Sequence, residues 1–99
     1  MNITKKKFGT SELFIKPEGR IDINSAPELE KEVNAEIDGI TYLTIDLSEV
    51  NYISSMGLRV FLNFQKKMNT KGNMKIVNVN SEVLETFKIT GFDKILDII

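Results

Sequence analysis

The sequence predicts an α/β fold: a four-stranded, mostly parallel sheet with an N-terminal hairpin and helices packed mainly on one face, in the order β-β-α-β-α-β-α. Three observations predict it. Short β-forming runs alternate with longer runs whose apolar residues recur every three or four positions. Two of the runs adjoin at the start, which reads as a hairpin, and the rest are separated by helices, which implies parallel pairing through right-handed crossovers. Finally, 99 residues without a repeat, a low-complexity segment or a Pro/Gly/Ser-rich linker suggest one domain spanning 1–99.

The opening "NITKKKFG" reads as a weak strand and Gly9-Thr10 as a turn. "ELFIKPEGRID" follows as a strand with Leu13 and Ile15 on one face and Phe14 on the other, and Pro17 restricts it to an edge or to the end of pairing. In "NSAPELEKEVNAEI", Ser25 is expected to cap a helix, with Pro27 in its first turn and Glu28 completing a capping box. Ala26, Leu29, Val33, Ile37 and Ile40 form its apolar stripe, and Gly39 is its expected end.

"TYLTIDL" is the next strand, with Leu43, Ile45 and Leu47 sharing a face. "SEVNYI" reads as a turn. "GLRVFLNFQKKMNTKG" is helical, with Leu58, Phe61, Leu62 and Met68 toward the core and Gly72 as the stop. "NMKIVNV" is a strand. Asn80 or Ser81 then caps a helix running to about Thr90, Gly91 gives it a left-handed end with Phe92 folding back on Phe87, and "DKILDII" reads as one more short helix. The loops Arg20–Ser25, Ser48–Ser55 and Asn78–Ser81 follow strand carboxyl ends, so they should gather on one edge of the sheet.

Composition narrows the function. Thirteen basic against fourteen acidic side chains leave a net charge of −1, without the long-range attraction to nucleic acid or anionic lipid that a basic domain has. Lys5-Lys6-Lys7 and Lys66-Lys67 are the only basic clusters, read as a solvated strand edge and a solvated helix face. No run nears the roughly 20 apolar residues of a membrane helix, and "MNITKKKFGT" has no apolar core of a secretory signal. With no cysteine present, a cytoplasmic setting is expected.

The junction "DLSEVNYISSMGLRVFL" places Ser54 and Ser55 between a strand and a helix. An activated serine needs a base, usually histidine, and the chain has none. No Gly-x-Ser-x-Gly occurs, and no Ser-x-x-Lys begins at either serine. Dispersed carboxylates suggest no metal site, and six separated glycines give no phosphate loop, so no cofactor and no catalytic residue are expected. One serine at a helix start is explained by capping, and only one of two can be the cap. On the residues alone, plain capping and a modification or docking site both stay open.

The same stretch resembles the signature of the STAS domain, the sulfate-transporter and anti-sigma-factor-antagonist family. The shared pattern is an Asp-Leu-Ser strand end, a short apolar turn, paired small polar residues and Gly-Leu opening a helix. "GRIDINSAPELEKEV" and "NMKIVNVNSEVLETFKITGFDKILDI" resemble other parts of that family, so the likeness spans nearly the whole chain. It implies a stand-alone bacterial anti-sigma factor antagonist, which accepts a phosphoryl group from a serine kinase that is also the anti-sigma factor. The acceptor position is Ser55, with Ser54 the second choice. Unmodified, such a protein binds the kinase and frees the sigma factor; phosphorylated, it lets go, and a serine phosphatase resets it. The chain departs from the family pattern at Ser54, where aspartate is frequent, at Met56, where serine or threonine is, and at Arg59, where a small residue is.

Expected partner contacts are Asp22, Asn24, Ser54, Met56, Gly57, Arg59, Val60 and Phe64, the last two taken as partly exposed because they are angularly offset from the Leu58/Leu62 stripe. Nucleic acid and membrane are not expected partners, and the chain is expected to be a monomer or weak dimer. The rival reading is a STAS adaptor in another assembly, such as a lipid-trafficking or signalling complex, with the serine loop as a docking contact.

Overall fold

A computed structural model describes all 99 residues. In chain order the elements are β1 (Ile3–Phe8), β2 (Glu12–Pro17), β3 (Gly19–Ile21), α1 (Ser25–Asn34), β4 (Tyr42–Asp46), β5 (Val50–Ile53), α2 (Ser55–Asn69), β6 (Asn73–Val77) and α3 (Ser81–Thr90). The main sheet has the order β1-β2-β4-β6. Its first pair is the antiparallel hairpin, and β2–β4 and β4–β6 are parallel. The α/β class, the four strands and the hairpin are therefore as the sequence predicts.

Alternation along the strands decides where the core lies. Leu13, Ile15, Leu43, Ile45, Met74 and Ile76 point to one face and are buried. Their sequence neighbours Phe14, Thr44 and Lys75 line the other face in one cross-strand row and stay partly exposed. Twenty-three buried apolar residues form one core, in which Phe61 packs against both Phe64 and Phe87 at ring separations of 6.3 Å, tying α2 to α3. Two lysines of the basic cluster are paired: Lys5 with Glu32 of α1 at 2.6 Å, and Lys7 with Glu36, just beyond that helix, at 3.0 Å.

Two expectations fail together. "ELFIKPEGRID" is two strands, and "SEVNYI" contains a strand. Pro17 offers no N–H to the ladder, and Gly19 adopts φ 96°, a left-handed conformation open mainly to glycine. The chain therefore leaves the main sheet, and β3 pairs in parallel with β5 as a separate two-stranded ribbon. Neither strand exceeds four residues, which leaves too few positions for alternation to be read from the sequence.

Helix ends also differ. Asn24, not Ser25, is the residue before α1; it is itself helical in conformation and gives no side-chain cap. Glu28 completes no capping box and instead meets the terminal amine of Met1 at 3.1 Å. The helix stops at Asn34, although Ile37 and Ile40 remain buried in the turn that follows. Gly72 lies three residues beyond the end of α2, and its requirement is proximity: a Cβ there would lie 1.9 Å from the Thr41 carbonyl oxygen. Asn80 caps α3 and Gly91 ends it at φ 79°, as predicted. The tail forms a single 3-10 turn at Phe92–Lys94 rather than a helix. Ile98 then bridges Ile76 in parallel, covering the outer edge of β6.

Candidate functional site

The three loops converge on one edge, pinned by polar side chains. The Ser54 N–H donates to the Ile21 carbonyl at 2.8 Å, locking the mouth of α2 to the end of β3. Asn80 accepts from Val83 N at 2.9 Å and donates through Nδ2 to the Val50 carbonyl at 2.6 Å, so one side chain caps α3 and holds the start of β5. The buried Asp46, at the end of β4, accepts from Ser48 N at 2.8 Å and from Asn78 Nδ2 at 2.9 Å. Burial pushes its pKa up, but the hydrogen bonds from Ser48 and Asn78 outweigh burial and hold it below the usual carboxylate value. Asn78 adopts φ 58°, which asparagine tolerates better than most residues. Asn80 was read from the sequence only as a candidate cap of α3, and the cross-links that Asp46, Asn78 and Asn80 make were missed; the asparagine pair flanking Val79, just after a strand, was the available signal.

At the heart of this edge the two serines separate. Ser54 is the N-cap of α2, in extended conformation, and its Oγ accepts from Gly57 N at 3.2 Å. Ser55 is the first helical residue, is exposed, and its hydroxyl has no hydrogen-bond partner within the chain. Capping and a free hydroxyl are thus both present, one on each serine. Gly57 is buried beneath them: a Cβ would stand 2.7 Å from both Ile21 Cγ2 and Ile53 Cγ1. The absence of a side chain at Gly57 lets the helix settle onto the β3–β5 ribbon.

The remaining predicted contacts divide. Arg59 and Asn24 are exposed, and Met56 is partly buried against the core. Val60 and Phe64 are core residues, 2% and 0% exposed, which corrects the expectation that they face outward. The reason is the second helix beside α2. Asn63 donates to Glu30 at 3.1 Å and Lys67 to Asn34 at 2.8 Å, so α1 covers the flank carrying Val60 and Phe64. An apolar face buried against a sheet and a neighbouring helix is wider than one stripe. Leu62, placed with the core from sequence, is only partly buried.

Asp22 organises the loop into α1. Its Oδ1 accepts from the N–H groups of Asn24 and Ser25, both at 3.0 Å. Those backbone bonds, Ser25 first, hold its pKa below the usual value. Its other oxygen lies 3.9 Å from Arg20 Nε, and the Arg20 guanidinium stacks 4.1 Å over the Tyr52 ring, across the β3–β5 pair. Two apolar surface residues were missed: Ile23, 68% exposed on the loop into α1, and Tyr52, 41% exposed on the ribbon. Ile23 was visible as an isoleucine isolated between Asp22 and Asn24, with no periodic partner. No group of three or more acidic side chains converges to hold a metal ion, and no helix is long and apolar enough to cross a membrane.

The edge therefore presents exposed hydroxyls at two helix mouths, Ser55 on α2 and Ser81 on α3, and the α2 mouth is the one joined to the β3–β5 ribbon that carries the Arg20–Tyr52 stack. Comparison with known proteins places the whole chain. The model of the STAS domain matches residues 3–99. The anti-sigma-B factor antagonist of Bacillus subtilis is 31% identical over 93 residues, covering 93% of this chain and 85% of the relative. In three dimensions, the crystal structure of an anti-sigma factor antagonist from Mycobacterium paratuberculosis superposes with a TM-score of 0.88 at 24% identity, covering 98% of this chain and 83% of that one. The Bacillus cell fate determinant SpoIIAA in its phosphorylated form gives a TM-score of 0.76 at 12% identity, covering 99% and 91%.

Proposed function

The chain belongs to the STAS domain family, and we propose that it is an anti-sigma factor antagonist switched by phosphorylation of Ser55. Unmodified, it docks through the loop edge onto a serine kinase that is also the anti-sigma factor, and the sigma factor is freed. In the modifying step the Ser55 Oγ–phosphorus bond forms as the bond between the γ-phosphorus of ATP and its bridging oxygen breaks. ADP leaves, and the hydroxyl proton passes to a base of the kinase. A serine phosphatase returns the hydroxyl by hydrolysis. Both reactions belong to the partners, and this chain acts in the cytoplasm as their substrate.

The observation that carries this reading is the division of labour between the serines: Ser54 holds the helix end while Ser55 stays exposed and unbonded. The name of the B. subtilis relative supports the antagonist role, and the fold itself accommodates a phosphoryl group, as in SpoIIAA. A phosphate adds about −1.5 to −2 charges at neutral pH. At a helix N-terminus the free N–H groups and the dipole favour a negative charge by about 0.3–1 kcal/mol, so the fold is spared. A partner packed on the edge meets an unpaired charge instead, a loss of about 2–5 kcal/mol.

Incubation with the kinase encoded by the same organism and ATP, followed by site-resolved mass spectrometry, tests the assignment. Ser55→Ala is expected to abolish labelling and keep kinase binding. Labelling that persists at Ser54 alone overturns it, and capture of transport components without a kinase or sigma factor favours the adaptor reading.

A further inference from the structure

The two arginines of this edge differ in how they are engaged. Arg20 is held over Tyr52 and beside Asp22. Arg59 is exposed, stands one turn below Ser55 on α2, and has neither a carboxylate partner nor an aromatic one. Since α2 is helical from Ser55 to Asn69, residues 55 and 59 lie on the same face with Cβ atoms about 5–6 Å apart. The first turns also differ: α1 carries Glu28 and α3 carries Glu82, whereas α2 carries no acidic residue.

We propose that when Ser55 is phosphorylated, Arg59 closes onto the phosphate as an i to i+4 ion pair along α2, holding the modification against this chain's own surface. The inference rests on the Ser55 reading above and adds the residue that receives the charge. The order is the favourable one, with the anion N-terminal to the cation, and the guanidinium fork matches two phosphate oxygens at once. The phosphate also supplies the negative charge that the first turn of α2 lacks. A phosphate on Ser54 has no such partner: Ser54 is the N-cap, five residues from Arg59 and outside the i to i+4 spacing that brings side chains together. Modification then changes two features of the docking edge together, because the hydroxyl becomes an anion and Arg59 is withdrawn from any partner.

The test uses the full chain with phosphoserine incorporated at position 55 during translation, so that it does not depend on finding the kinase. Phosphorus-31 NMR follows the second ionisation of the phosphate against pH in the wild-type, Arg59→Gln and Arg59→Lys chains. The wild-type midpoint is expected to lie about 0.3 pH unit below that of Arg59→Gln. Arg59→Lys should fall between them, and the difference should shrink in 1 M salt, where screening acts within about 3 Å. Coincident midpoints for all three chains would overturn the clamp. Binding of the phosphorylated wild-type chain to its kinase with undiminished affinity would instead overturn the switch and leave the clamp standing.

Discussion

The mouths of α1 and α2 open side by side on the same edge of the sheet, and their serines serve different ends. At α1 the single hydroxyl is fully engaged: Ser25 Oγ accepts from Asp22 N at 2.9 Å and donates to the Arg20 carbonyl at 2.6 Å. The Asp22 carboxylate takes two further N–H groups there. At α2 the cap is one residue earlier, on Ser54, and the next hydroxyl is left over. A helix start built with one polar residue too many has a group available for chemistry without loss of the cap. At the α1 mouth the serine hydroxyl and the aspartate carboxylate are both satisfied locally, so those two groups serve stability.

The largest expected effect tests the functional half of this contrast. Phosphorylation of Ser55 should weaken binding to the kinase by about tenfold to several thousandfold, measured by calorimetry, with little change in melting temperature. An equal fall in melting temperature would show that the α2 mouth is as structurally committed as that of α1.

Next is Ser25→Ala, which strips two backbone partners at once. A stability loss of about 1–2 kcal/mol is expected from denaturant unfolding. Ser54→Ala should cost about 1 kcal/mol, or roughly 4–8 °C in melting temperature for a chain of this size. Ser55→Ala should stay within about ±0.5 kcal/mol. Equal losses at Ser54 and Ser55 would erase the distinction between the cap and the free hydroxyl.

The smallest effect is one of pH. Asp22 and Asp46 both ionise below the ordinary 3.8 in the folded chain. Their carboxylates therefore favour the fold above that value, and the contribution is lost as the pH falls through it toward the lower folded values. Asp22→Asn should flatten part of the decline in melting temperature between about pH 5 and pH 2, whereas Ser55→Ala should leave the profile unchanged.

Much of this contrast was legible in advance. The paired serines, the helix beginning at them, the glycine two positions later and the Asn80 cap all follow from local rules of spacing and backbone hydrogen bonding. The Ser25 cap was misassigned because its hydroxyl turns back to Asp22 N and the Arg20 carbonyl instead of forward into the helix, and spacing alone does not say which way a side chain turns. The β3–β5 ribbon was missed because each of its strands is stabilised by a segment some thirty positions away. Val60 and Phe64 were turned outward because a stripe shows where a helix is apolar, while the width of its burial depends on how many elements pack against it.

By itself, then, the sequence determined the class of fold, the order of its main elements and the presence of a surplus hydroxyl between a strand and a helix. Those depend on interactions within a few residues, which composition and periodicity record directly. Only the tertiary structure decided that Ser54 is the cap and Ser55 the free group, that Gly57 is a close-packing point, and that Arg59 stands unpaired beside the site. Each of those depends on contacts, or on their absence, across the fold, and such contacts exist only once distant segments are brought together.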